Sequence, residues 1–120
     1  IATGHMVWQS LEAARQLRDQ GIEAEVIDIH TIKPLDEEAV IRSVRKTGCV
    51  VTAEEHQRNG GLGDAVAQTL GRHHPSPQEY VAVDDKFGES GKPLSLLDKY
   101  GLSVDDVVAT AKRVVQRKSK

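Results

Sequence analysis

The 120-residue sequence contains little cysteine, few aromatic residues and no long apolar run. Its single cysteine, Cys49, excludes an internal disulfide and lies in the apolar stretch GCVVT, which favours a reducing compartment and a buried structural thiol. No stretch approaches the roughly 20 apolar residues that span a bilayer, and the N-terminus shows no signal-peptide pattern. We therefore expect a cytoplasmic protein without membrane contact.

An excess of one charge is also lacking, because the formal net charge is −2. Such a balance provides no basic field for binding nucleic acid or an anionic membrane. A chain of this length predicts one compact domain. Only Trp8, Tyr80, Phe87 and Tyr100 could act as large interface anchors, so we expect any self-association to be weak.

The sequence does contain short apolar runs that alternate with helical patterns. The first run ends at Gly4, and the other three cover residues 23–29, 48–54 and 79–83. Each run is followed by apolar positions at helical spacing. Runs that are almost continuously apolar are typical of parallel strands covered on both faces, so the predicted class is α/β. Four of the predicted helices have a regular apolar face, and a further short helix is predicted at 94–101. The apolar positions of the four are Val7, Leu11, Ala14 and Leu17; Val40, Ile41 and Val44; Leu62, Ala65, Val66, Thr69 and Leu70; and Val104, Val107, Val108, Ala111, Val114 and Val115.

Capping residues mark the ends of these predicted helices. Gly21 and Gly48 stand where C-terminal caps belong, and the acidic residues 36–38 open the second helix. Ser103 and Asp106 have the spacing of a capping box for the last helix.

The stretch VTAEEHQRNGGLGDAV, residues 51–66, joins the third strand to the third helix. We expect residues 50–52 in the sheet, 54–59 in a turn and the paired glycines at the start of the helix. This is the carboxyl edge of a parallel sheet, where α/β proteins bind ligands. The candidate residues for an anion site or an interface are Glu55, His56, Gly60, Gly61 and Gly63.

Two interpretations of this turn are open. Free backbone N–H groups at a helix N-terminus could bind an anion, or the glycines could permit positive φ and close packing of helix on sheet. The spacing GGLG matches neither nucleotide-binding fingerprint, which favours the structural interpretation. His56 and the preceding carboxylates could form an acid–base pair, but neighbours in an extended turn point in different directions.

No further catalytic or metal-binding pattern is present. The five histidines show no ligand spacing, so we expect no metal site. The turn SGKP contains Ser90 and Lys92, and Lys92 could meet a carboxylate or phosphate, although a solvated turn lysine is the simpler interpretation.

Four blocks in order resemble the C-terminal domain of transketolases: DIHTIKPLD at 28–36, VTAEEHQRNGGLGDAV at 51–66, FGESGKP at 87–93 and LLDKYGLSVDDV at 96–107. Single blocks are also similar to deoxyxylulose-phosphate synthases and to β subunits of 2-oxoacid dehydrogenases, but SGKP followed by LLDKYGL favours transketolase.

The resemblance implies a three-layer α/β/α fold with a mostly parallel sheet. The family's first, antiparallel strand has no counterpart here, so we expect residues 1–120 to form one domain truncated at its N-terminus. The resemblance also places the strand ending at Gly4 beside the strand ending at Glu54. His5 and His56 are therefore expected to approach each other where the chain turns to opposite faces.

The resemblance implies part of a transferase that moves a two-carbon ketol unit between sugar phosphates in the pentose phosphate pathway. Thiamine diphosphate and Mg would be held by the two preceding domains, so this chain is expected to carry no catalytic, cofactor-binding or metal residue and to be inactive alone. Its expected partners are upstream transketolase domains or a large subunit, and a second copy in a homodimer.

Two other functions stay open at this point. The chain could be the matching module of a 2-oxoacid dehydrogenase β subunit or a deoxyxylulose-phosphate synthase. It could also be a free-standing module that binds an anion at the GGLG turn.

Overall fold

A computed structural model describes residues 1–30, 34–57, 61–83 and 103–118, without the side chains of His56, Gln57 and Val83. The predicted short helix at 94–101 lies outside these residues. No helix in the described part of the chain is long and apolar enough to cross a membrane. The elements are α1 (Met6–Asp19), α2 (Glu37–Thr47), β1 (Val50–Gln57), α3 (Leu62–His73), β2 (Gln78–Val83) and α4 (Val104–Lys118).

The sheet is parallel, as the apolar runs predicted. β1 pairs with β2 in a register that sets Val50 against Gln78 and shifts between Ala53 and Gln57. On the other side of β1, Ala2 forms isolated parallel bridges to both Ala53 and Asp28. The spatial order is therefore 27–29, 1–3, β1, β2.

Two predicted strand boundaries were wrong. In the run 23–29 only Asp28 forms a bridge among the described residues, to Ala2, so no regular strand covers the whole run. The third strand is longer than predicted: β1 continues through Glu54 to Gln57, where a turn was expected. Pairing of Gln57 with Val83 beyond the register shift accounts for the extra length.

Capping residues act where the sequence placed them. The Asp36 carboxylate accepts the Ala39 N–H at 3.1 Å at the start of α2, and Gly48 ends that helix at φ 82°. Gly21 follows α1 at φ 84°. The capping box of α4 forms as predicted: the Ser103 N–H donates to Asp106 at 3.0 Å, and the Asp106 N–H donates to the Ser103 hydroxyl at 3.3 Å.

The predicted inner face of α1 was partly wrong. The helix buries Met6, Ala13 and Leu17, whereas Leu11 is 55% exposed. The buried residues also include Gln9, whose Oε1 has no hydrogen-bond partner among the described residues. Positions 6, 13 and 17 also recur at helical spacing, so the buried face lies about one residue from the predicted one. The sequence hid this because the buried face includes a polar residue.

The three layers follow from two apolar clusters on opposite faces of the sheet. One cluster joins Ala2, Ala53 and Val81 to α1 and α4, and the other joins Ile29 and Val50 to α2 and α3. The fold is thus α/β with helices on both faces, as predicted. Because α1 and α3 leave neighbouring parallel strands toward opposite faces, the carboxyl ends of residues 1–3 and β1 form a topological switch point.

Candidate functional site

A buried carboxylate occupies the junction between β1 and α3. Glu54 has no exposed surface, and its two oxygens accept the Leu62 N–H at 2.8 Å and the Gly63 N–H at 2.7 Å. The first turn of a helix leaves several N–H groups unpaired, and the N-cap residue here, Gly61, has no side chain to bond them. Glu54 therefore caps α3 from the strand and supplies the negative charge that a helix N-terminus favours.

Close packing occurs at Gly63, which lies against β2. A Cβ built on Gly63 would stand 2.2 Å from Cε2 of Tyr80 and 3.1 Å from Oγ1 of Thr52. Only a residue without a side chain allows this approach of helix to sheet.

Polar contacts surround this close approach. The Gln78 amide donates to the Gly63 carbonyl at 2.9 Å and to the Thr52 hydroxyl at 3.2 Å. The Tyr80 hydroxyl lies 3.3 Å from Oδ1 of Asp64. Together these side chains tie α3 to both strands, so the junction is a hydrogen-bonded structural unit.

The structure gives different positions and surroundings to the predicted site residues. Glu55 is exposed, and Gly61 is the N-cap of α3 with φ −99°, so the expected positive φ is wrong for this glycine. The expected close packing is found at Gly63. His56 lies in β1, but its side chain is outside the described residues, as are Gly60, Ser90 and Lys92.

The predicted approach of His5 and His56 is only partly visible. Their strands are neighbours as expected, since the Thr3 N–H donates to the Ala53 carbonyl at 3.2 Å. His5 is the N-cap of α1, and its side chain makes no capping bond within the described part of the chain. The use of the GGLG turn as an anion or interface site stays a prediction.

Sequence reasoning placed Glu54 in the turn without its capping role, and it missed Thr52, Gln78 and Tyr80 as members of this junction. One signal was present: a helix start without Ser, Thr, Asp or Asn at its N-cap needs an acceptor from elsewhere. The nearest acids preceding it are Glu54 and Glu55, and the inward direction of Glu54 follows only from the alternation along β1.

Groups elsewhere in the described chain show little potential for chemistry. No cluster of three or more His, Cys, Asp or Glu side chains suited to a metal occurs among the described residues. Cys49 is half-buried rather than buried, and burial raises the pKa of its thiol, while the Lys118 charge acts in the opposite direction. A thiol with a raised pKa stays protonated near neutrality and is a poor nucleophile.

The fold and this junction define a member of a known domain family. The model of the family described as "Transketolase, C-terminal domain" matches residues 1–107, so the chain belongs to that family.

Individual relatives specify the similarity further. The chain is 50% identical over 119 residues to the 6-deoxy-6-sulfo-D-fructose transketolase subunit SqwH of Clostridium sp. (strain MSTE9), covering 99% of this chain and 37% of the relative. It is 36% identical over 117 residues to an apulose-4-phosphate transketolase subunit of Phocaeicola vulgatus, covering 98% of this chain and 37% of the relative. It therefore spans little more than a third of these proteins.

A solved structure is also similar across nearly the whole chain. It is described as a split gene transketolase in an inactive beta4 tetramer. The similarity has a TM-score of 0.93 at 49% identity, and covers 98% of this chain and 38% of that one.

Proposed function

We propose that this chain is the C-terminal domain of a transketolase that moves a two-carbon ketol unit between sugar phosphates in the cytoplasmic pentose phosphate pathway. Its own role is structural: it supports the adjoining domains and the dimer. The observation that carries the structural role is the bonding of both Glu54 oxygens to the start of α3.

This bonding has two chemical consequences. The Glu54 carboxylate is fully buried and accepts two backbone N–H groups, so it is held in place and cannot reach a proton of a substrate. The N–H groups of Leu62 and Gly63 could otherwise bind an external anion, but they already donate to the Glu54 carboxylate of this chain. Both consequences favour a structural junction over an acid–base site or a free-standing phosphate site.

We propose that thiamine diphosphate and a divalent cation are held by other parts of the enzyme. The relatives support this division, because this chain corresponds to 37% of each of two proteins named as transketolase subunits. The partner of this domain is then the upstream region of a transketolase, on the same or a separate polypeptide, and a second copy in a homodimer.

Titration of the chain with thiamine diphosphate and Mg tests where the cofactor chemistry resides. We expect no specific heat at micromolar to millimolar cofactor in isothermal titration calorimetry, and no ketol transfer from a ketose phosphate. Joined to, or mixed with, the upstream region of a relative, the same chain is expected to restore cofactor-dependent transfer. Specific micromolar binding by the chain alone would contradict the proposal.

A further inference from the structure

An open groove of about 610 Å³ lies on the outer side of α2, where the end of α3 approaches that helix. Its lining residues from α2 are Glu37, Glu38, Ile41, Arg42 and Arg45, and His73 comes from α3. Positions 38, 41, 42 and 45 recur at the spacing of a single helix face. The groove is therefore one face of α2 with a wall from α3, in the helix layer opposite to α1 and α4.

Glu37 is not available to a partner, because α3 already binds its carboxylate. The Thr69 hydroxyl donates to Oε1 of Glu37 at 2.9 Å, and Arg72 forms an ion pair with the same oxygen. Nε2 of His73 lies 3.9 Å from the other oxygen of Glu37. These contacts fix α3 against α2 and so hold the wall of the groove in place.

The remaining charges of this face are exposed and unpaired. In the part of the chain that the structure describes, Glu38 and Arg45 make no hydrogen bond or ion pair. The same holds for Arg42, whose charge acts on Glu25 only from a distance. Between these charges lies Ile41, which is half-buried. An apolar side chain flanked by unpaired charges of both signs suits a protein partner with the opposite arrangement.

The order of these charges makes the face complementary to itself. Glu38 and Arg45 are equally distant in sequence from the midpoint between Ile41 and Arg42. When two copies of α2 lie antiparallel across a two-fold axis at that midpoint, Glu38 of each copy faces Arg45 of the partner subunit. Ile41 then faces Arg42 of the partner subunit, whose aliphatic stem covers apolar surface. From residue 38 to residue 45 the helix rises about 10 Å, which is the distance between the two ion pairs.

We propose that this face of α2 binds the same face of a second copy of the chain, as an antiparallel helix pair across a two-fold axis. In such an isologous contact each substitution changes two ion pairs at once. An acidic or a basic partner would match only one end of the face, whereas a second copy matches both ends.

The contact is separate from the exposed Trp8, which belongs to α1 in the other helix layer. The proposal rests on the proposed function only in taking a second copy as the partner. It adds the surface through which that copy binds.

Charge reversal tests this pairing and separates it from effects within one chain. The parent chain carries Trp8→Ser, which removes the largest exposed apolar side chain among the described residues. On this parent, one variant carries Glu38→Arg, a second carries Arg45→Glu and a third carries both. The readout is the dissociation constant of self-association in sedimentation equilibrium, at low ionic strength because salt screens exposed ion pairs.

We expect each single reversal to weaken self-association about tenfold or more, because two attractive pairs become repulsive. The double variant should regain the association of the parent, since both signs are exchanged together. The two single variants, mixed in equal amounts, should form a heterodimer although neither associates with itself. Lys112→Glu reverses an exposed charge of α4 and is the control, which should leave the association unchanged.

Three results would overturn the proposal. One is a parent chain that stays monomeric up to about millimolar concentration. Another is failure of the double variant to regain association, or of the mixed single variants to form a heterodimer. The third is single reversals that leave self-association unchanged but weaken binding of the upstream region of a relative, because the face would then belong to that region. The cofactor titration does not depend on these readouts, so failure of this proposal and failure of the proposed function are distinguishable.

Discussion

At the scale of single residues, Glu54 replaces the capping side chain that Gly61 lacks. Glu54→Gln keeps the shape of the side chain but turns one acceptor into an amide donor that faces a backbone N–H. We expect a loss of roughly 1–3 kcal/mol in the free energy of unfolding, measured by urea titration, since a buried unsatisfied group costs about that much.

The neighbouring acid provides the control for this substitution. Glu55→Gln changes an exposed carboxylate of the same strand and should alter the unfolding free energy by no more than about 0.5 kcal/mol. Equal effects of the two substitutions would contradict the capping role of Glu54.

Gly63 gives a second prediction at this scale. Gly63→Ala places a Cβ 2.2 Å from the Tyr80 ring, so we expect destabilisation of about 1–3 kcal/mol. The matched control is Gly71→Ala in the same helix, where no described atom other than its chain neighbours and the helix backbone lies within 4 Å of the new Cβ, and the helix gains about 0.5–1 kcal/mol. A shift of the thermal midpoint in the same direction for both variants would disprove the packing argument.

At the scale of elements, the helices could be predicted because their signals are local. Apolar spacing and the caps at Asp36, Gly48 and Ser103 lie within a few residues of the ends they determine. The junction at Glu54 could not be predicted in full, because its members are distant in sequence. The Gln78 amide reaches Thr52 across 26 residues, and only the β1–β2 register brings them together.

The pairing of residues 1–3 with β1 gives a prediction about the pH dependence of stability. In a polypeptide that starts at Ile1, the pKa of the Ile1 amine falls from 8.0 to about 6 on folding, because burial disfavours the charged form. Between these values the unfolded chain binds more protons, so stability rises with pH from about 6 to 8. The gain is at most about 2–3 kcal/mol for this group.

An acetylated N-terminus separates this effect from the titration of the histidines. Acetylation removes the ionisable amine, so the acetylated chain should lose the part of the pH dependence that belongs to Ile1. The measurement is the unfolding free energy of both chains across the range from pH 5 to 9. Parallel curves would show that the amine makes no contribution.

At the scale of the whole molecule, Trp8 and Leu11 are exposed large apolar side chains on one helix, 68% and 55% exposed. The Tyr80 ring packs against Gly63, which makes Trp8 the better anchor for the proposed homodimer. We expect weak dimerisation at high protein concentration, and we expect Trp8→Ser to weaken it several-fold in sedimentation equilibrium.

Lys112→Ser changes an exposed residue of α4 and is the control for the Trp8 substitution. It should leave the association unchanged. A chain that stays monomeric up to about millimolar concentration would contradict the expected dimerisation of the isolated domain.

The central position of residues 1–3 in the sheet also has a consequence for synthesis on the ribosome. This segment is made before either of its neighbours, and the hydrogen bond from Ile1 to Val51 spans 50 residues. Such non-local pairing is slow to form, because loop closure must come first. Until β1 has emerged, the segment is a nascent apolar strand without its second neighbour, and this is the stage at which the growing chain is most exposed to aggregation and to chaperone binding.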